Sequence, residues 1–312
     1  MKKFKYNFNN KFVIITGSSS GIGYEIAKKY LINGANILIC SSRLDKIKKA
    51  YKRLKNLKKK NQYLFYIKVD LSSSKEIKKL VKFAFKKFKR IDILINNAGI
   101  YGPKGSIDKV DWGKWVKTIQ INLFGSILLC RELLPHFKKK NSGKIIQMSG
   151  GGAAAPLPFI TGYAVSKVGI VRFIESLSHE LNDYKIDVNS VAPGSINTDM
   201  LNEILKAGPK KVGKKGYEKA LLQKKRGGTS LESACELTLF LGSNYSDGIS
   251  GKLISSVWDD WKNWPQKKNV LKKNDLFTIR RVTSKDRGVN WGLLKTKSIY
   301  DRSLVPTKKL KK

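Results

Sequence analysis

Phe12-Val-Ile-Ile-Thr-Gly-Ser-Ser-Ser-Gly-Ile-Gly23 decides the fold. An apolar, β-branched run stops at a loop with glycines at 17, 21 and 23, and a helical pattern over 22–33 follows. A strand that opens through glycines into a helix is the context in which such a loop cradles phosphate. Gly17 permits the tight turn. Gly21 and Gly23 let the backbone approach a pyrophosphate and let helix pack on strand. The first N–H groups of the helix and its positive end face the anion, with Ser19, Ser20 and Ile22 completing the cradle.

Further along the chain, short β-branched runs alternate with longer helical patterns. Strands are expected at Phe12–Thr16, Asn36–Cys40, Tyr63–Val69, Asp92–Ile95, Lys144–Met148, Ile186–Val191 and Lys252–Ser255. Helices are expected over 22–33, 44–60, 74–88, 111–137, 162–183 and 231–241. This alternation predicts an α/β fold, a doubly wound parallel sheet of about seven strands with helices on both faces. The sheet domain spans 1–256, and 257–312 is an extension rich in Trp and Lys.

Two regions break the rhythm. Residues 195–228 carry Gly208-Pro, Gly213, Gly216 and Gly227-Gly228 after a strand end, the place for a lid over a ligand crevice. In the extension, Trp258, Trp261 and Trp264 recur at spacing three, as on one face of a helix. Those indoles are expected to pack on the domain or on a neighbouring subunit, or else to line the substrate cleft. The terminal Lys308-Lys-Leu-Lys-Lys312 is expected to lack fixed structure.

The second strand ends Ile39-Cys-Ser-Ser-Arg43. A carboxylate there would bind the ribose 2′-hydroxyl of NAD and repel a 2′-phosphate. None is present, while Ser41, Ser42 and Arg43 can hold a phosphate, so NADP is preferred to NAD.

Tyr163 and Lys167 stand four residues apart in Gly-Tyr-Ala-Val-Ser-Lys. On a helix they share a face. A neighbouring ammonium favours phenolate, drawing the tyrosine from about 10 toward neutrality. Such a phenol passes a proton to or from an alcohol oxygen while hydride moves.

The chain resembles the short-chain dehydrogenase/reductase family over roughly 10–256. The matching pieces are the Thr16–Gly23 loop, Asp70-Leu71, Asn96-Asn-Ala-Gly99, Asn122, Ser149, Tyr163-x3-Lys167 and Pro193-Gly-x3-Thr198. The resemblance implies a Rossmann-type oxidoreductase that interconverts a secondary alcohol and a ketone with NAD(P). It implies Tyr163 as acid/base, with Lys167 lowering its pKa and binding the nicotinamide ribose. Ser149 would bond the substrate oxygen, and Asn122 would hold a relay water. Asp70 and Leu71 would meet adenine, Asn97, Ala98 and Gly99 would line the cofactor, and Pro193, Gly194, Ile196 and Thr198 would embrace the nicotinamide. The chain departs from the family in three places. Ser149 lies 14 residues before Tyr163 instead of 13, Arg43 sits one position late, and Gly251-Lys-Leu-Ile-Ser-Ser replaces the usual close.

The formal net charge of +40 raises the alternative of nucleic-acid binding. Of the 63 basic residues only ten are arginine, and the lysines follow helix faces, so no specific nucleic-acid site is expected. Cys40, Cys130 and Cys235 are widely separated, and His136 and His179 are the only histidines, so neither a disulfide framework nor a metal site is expected. No run reaches the ~18 apolar residues of a membrane helix, and a cytoplasmic enzyme is the expectation. Partners are a small carbonyl or alcohol substrate and further copies, as a homodimer or homotetramer through 111–137 and 162–183. The runner-up activity is 3-oxoacyl-carrier-protein reduction. A non-catalytic nucleotide-binding scaffold is set against by the presence of both Tyr163 and Lys167.

Overall fold

The computed structural model describes residues 4–289. Seven parallel strands form one sheet in the order β3-β2-β1-β4-β5-β6-β7. They are β1 Phe12–Thr16, β2 Asn36–Ser41, β3 Leu64–Lys68, β4 Ile93–Asn96, β5 Gly143–Met148, β6 Ile186–Ala192 and β7 Leu253–Ser255. The helices are α1 Gly21–Ile32, α2 Leu44–Lys55, α3 Ser74–Lys87, α4 Trp112–Ile119, α5 Gly125–Lys140, α6 Thr161–Glu180, α7 Asp199–Ala207, α8 Pro209–Val212, α9 Lys214–Arg226, α10 Leu231–Gly242 and α11 Lys268–Lys272.

The strand runs are apolar at nearly every position because both sheet faces are covered. Period-two alternation sorts them into two cores. Val13, Ile15, Ile37, Ile39, Ile93 and Ile95 pack with Tyr30, Leu54 and Phe240 of α1, α2 and α10. Ile14, Leu38, Leu94 and Ile145 pack with Leu80, Leu133 and Ile174 of α3, α5 and α6. The chain reverses its direction of winding between β1 and β4, and a crevice opens beyond their carboxyl ends. The glycine loop leaves β1 there, and Asn97–Gly99 leave β4 there.

Several boundaries differ from the sequence reading. The helix expected over 44–60 stops at Lys55. The segment 111–137 is not one regular helix: α4 and α5 are joined by a π-turn, Gln120–Phe124. The 195–228 region is helical over much of its length, as α7, α8 and α9.

The tryptophan expectation needs correcting. Trp261–Gln266 is a 3-10 turn, and Trp258 lies outside it with 86% of its surface exposed. The three indoles therefore share no α-helical face. Trp261 and Trp264 are buried, one against Phe240 and the other against Phe277. The chain then runs along the outer edge of β7. Leu253 N donates to Phe277 O at 2.8 Å, and Lys252 Nζ donates to the carbonyls of Asn274 and Leu276. The Leu253 N–H, an edge group that would invite another strand, is thereby satisfied. Lys308–Lys312 lies outside the described residues.

Candidate active site

The crevice is a cavity of about 810 Å³. Its floor is the loop after β1, with Gly17, Ser19, Ser20, Gly21, Ile22 and Gly23 all on the wall. Gly17 has φ 63, and a Cβ there would lie 2.6 Å from the Ala98 Cα. At Gly23 a Cβ would collide with Asn97 Nδ2 and the Gly17 carbonyl. The loop is locked from below. Thr16 Oγ1 accepts from the N–H groups of Asn97 and Ala98, each at 3.0 Å, and Asn97 Nδ2 donates to the carbonyls of Thr16 and Gly17. Ser20, the N-cap of α1, makes no side-chain capping bond, which leaves the first amides of the helix directed at the cavity.

Ser42 and Arg43 line one end of the cavity, beside Asp70 and Leu71. Ser19 Oγ donates to Ser41 Oγ at 3.1 Å. Asp70 accepts from both the N–H and the hydroxyl of Ser72, while Ser73 caps α3. Its carboxyl is burdened by desolvation, yet the Ser72 bonds and the lysines at 117 and 68 hold it below the usual range.

Behind Gly99 lies the proton-transfer group. A Cβ on Gly99 would touch Asn122 Oδ1 and Lys167 Nζ. Tyr163 and Lys167 occupy the first turns of α6, 8% and 4% exposed, with Lys167 Nζ 5.4 Å from the phenol ring centre. Lys167 Nζ donates to Met148 O, the end of β5, at 2.9 Å. Ser149 follows at once. Its Oγ is buried and has no hydrogen-bond partner among the described residues. Gly150 brings the strand end onto the phenol, since a Cβ there would overlap Tyr163 Oη.

Asn122 sits in the π-turn and joins β4's exit to α6. Its Oδ1 accepts from Ile100 N at 2.9 Å, and its Nδ2 donates to Ile100 O at 2.9 Å and to Ser166 Oγ at 3.0 Å. Ser166 Oγ donates to Tyr163 O at 2.7 Å. Pro193, Gly194 and Ile196 do not line the cavity; they form the turn that feeds α7, with Gly194 at φ 84 pressed between Val257 and Thr229. Thr198 does line it, and its methyl reaches toward Gly21.

One electrostatic expectation is overturned. Burial, reinforced by Tyr101, pushes the Tyr163 phenol up rather than toward neutrality. Lys167 is buried as well, and the same desolvation brings it down to about 8. The ammonium gives its hydrogen bond to Met148 O, and the loss of water around both groups sets the direction of both shifts.

The sequence reading missed Tyr101, Lys104 and Phe159. The Tyr101 ring meets Tyr163 edge-on at 4.7 Å, and Lys104 Nζ lies 5.6 Å from the Tyr101 ring centre. No spacing rule marks isolated loop residues of this kind. A smaller cavity of about 380 Å³ opens between α6 and the 271–280 segment, where Glu175 is already paired with Arg172 and Arg280.

The short chain dehydrogenase family model matches residues 11–208. The chain belongs to the short-chain dehydrogenase/reductase family. It is 33% identical over 248 residues to the 3-oxoacyl-acyl-carrier-protein reductase of Buchnera aphidicola subsp. Baizongia pistaciae, covering 78% of this chain and 94% of that one. It is 32% identical to an uncharacterized oxidoreductase of Thermotoga maritima, covering 65% and 78% respectively. Among solved structures, 7α-hydroxysteroid dehydrogenase complexed with NADH and 7-oxo glycochenodeoxycholic acid superposes with TM-score 0.71 at 25% identity, over 82% of this chain and 96% of that one. Levodione reductase superposes with TM-score 0.72 at 23% identity, over 80% and 96%. The protein is accordingly an NAD(P)-dependent oxidoreductase. Its residues fit the cofactor: two glycines that tolerate no Cβ, open helix amides and a cavity bounded by both. Among the described residues no helix is long and apolar enough to cross a membrane.

Proposed function

We propose that this protein reduces a ketone to a secondary alcohol, reversibly, with Tyr163 as the acid/base. The observation that carries this reading is Ser149 Oγ, a buried hydroxyl with no hydrogen-bond partner among the described residues, next in sequence to Gly150, which meets the phenol. Such a group costs stability unless something bonds it, and a substrate oxygen would. The bound cofactor supplies the hydride. Tyr163, held protonated by its raised pKa, donates its proton to the carbonyl oxygen, and Ser149 bonds that same oxygen as charge develops. Lys167 carries the positive charge that meets the phenolate and the ribose. Asn122 fixes the distance between β4 and α6, and Oδ1 retains a second lone pair for a relay water.

NADP is the preferred cofactor in this proposal, because Ser42 and Arg43 face the cavity and no carboxylate ends β2. Asp70 and Leu71 hold the adenine side, and the turn from Pro193 to Thr198 covers the nicotinamide side. A second reading, reduction of a carrier-bound 3-oxoacyl group, is favoured by the Buchnera relative and by the +40 charge facing an acidic carrier. A second copy is proposed to cover Trp112, Phe124, Val165 and Val168, large apolar side chains exposed on α4, the π-turn and α6. The test is cofactor oxidation with NADPH and with NADH over a broad ketone panel that includes a carrier-linked 3-oxoacyl group. Turnover with NADPH preferred supports the reading. Failure to bind either nucleotide removes it.

A further inference from the structure

We propose that Phe159 is a positioning residue that holds 199–226 shut over the cavity whose wall runs from Gly17 and Gly99 to Glu203 and Lys224. The inference rests on the reading of 195–228 as the cover of that site. Phe159 has φ 67. A bulky L-residue takes this left-handed conformation only where its surroundings over-determine it, and such residues gather at functional sites.

The surroundings are specific. Phe159 O accepts from Gly105 N at 2.9 Å. Its ring fills the space above Gly213, where a Cβ would lie 2.6 Å from the ring edge. Gly213, φ 74, joins α8 to α9 at the tip of the cover. The neighbouring Lys104 makes the second tie, an ion pair with Glu203 of α7 at 2.9 Å, its side chain 12% exposed. Two loops outside the cover, joined by the Gly105–Phe159 bond, thus both hold it.

The cover is jointed once inside, between α7 and α8, and once at its C-terminal end. Gly208 and Gly227 have φ 76 and 85, and a Cβ at either would meet nothing. Packing does not require glycine there; the backbone conformation does. Gly228 is pressed against Ser195 O, and Thr229 N donates to the same carbonyl at 2.8 Å, which pins the two ends together. One joint inside the cover, one at its C-terminal end and the ties to Phe159 and Lys104 describe a segment that opens locally while the rest of the fold stays closed. Phe159 precedes Ile160, the N-cap of α6, so closing the cover also sets the start of the helix that carries Tyr163.

Limited trypsin digestion of the full chain tests this, because Lys210, Lys211, Lys214, Lys215 and Lys219 are exposed on the cover yet lie in or beside helices that must open to be cut. Phe159→Gly and Phe159→Asn keep the left-handed backbone and lose the ring. Both are expected to raise cleavage within 199–226 by about tenfold while sites elsewhere keep their native rates. Glu203→Gln is expected to raise it about threefold. Phe159→Tyr restores the ring and the native rate. Unchanged cleavage of 199–226 in the Gly and Asn variants would overturn the proposal, as would a rise shared equally along the chain. The readout uses no substrate, so an error in the proposed chemistry leaves this result interpretable.

Discussion

Lys167 Nζ donates to Met148 O at 2.9 Å, one residue before Ser149. This bond ties the helix that carries Tyr163 to the strand end that carries the orphaned Ser149 hydroxyl, so the proton donor and the oxygen-binding group are held by a single lysine. That lysine titrates near pH 8 because it is buried. It is charged below that value and neutral above it. Ketone reduction is therefore expected to hold steady below pH 8 and to fall as pH rises through about 8, and a pH profile of kcat/KM checks it. A rate that climbs through that window would contradict the assignment.

Gly150 is extended, so its backbone would accept any residue, but its approach to Tyr163 would not. Gly150→Ala displaces the phenol. Turnover should drop by about 100-fold while nucleotide affinity, set at the glycine loop, stays within a factor of about two. Steady-state kinetics and nucleotide titration separate the two effects.

Arg43 begins α2 and lines the cavity beside Ser42. Arg43→Ala should raise the KM for NADPH by about tenfold or more and leave that for NADH nearly unchanged. Equal effects on both cofactors would place Arg43 outside the 2′-phosphate site.

Asp92 is 6% exposed and accepts from Phe12 N at 2.9 Å and from Lys140 Nζ at 2.6 Å, with Arg90 alongside. Desolvation opposes its charge, but the bonds from Lys140 and Phe12 outweigh it and hold the carboxyl low. Asp92→Ala leaves the Lys140 ammonium with Ile91 O and frees the start of β1, at a cost of about 3 kcal/mol in denaturant unfolding. Because the folded carboxyl lies below its unfolded value, the native contribution is present at neutral pH and is lost as pH falls through the folded pKa.

Trp264 is 2% exposed and packs at a tilt against Phe277, whose carbonyl pairs with β7. Trp264→Ala should cost about 3–5 kcal/mol in the same assay. A change below 1 kcal/mol would mean the extension contributes nothing to the fold that it covers.

The sheet was legible because buried parallel strands write themselves as unbroken β-branched runs, as in Phe12–Thr16 and Ile93–Asn96. The cofactor loop was legible for a steric reason: only glycine fits against Ala98 and Asn97. The π-turn was hidden because one extra residue at Gln120–Phe124 leaves the apolar spacing of a helix almost intact. The contact it makes is distant in sequence, the pairing of Asn122 with Ile100. Spacing of three misled at Trp258, since Val257 and Trp258 turn on Ser255 Oγ before the 3-10 segment begins. Phe159 and Lys104 were invisible for a similar reason. Each acts through one contact to the 199–226 cover, and a single contact leaves no period to read.

The central claim is that Tyr163 delivers the proton. Tyr163→Phe keeps the ring against Tyr101 and removes only the hydroxyl. The account predicts a loss of at least about 1,000-fold in ketone reduction, with NADPH affinity within about twofold of native. Retention of native turnover by Tyr163→Phe would contradict it.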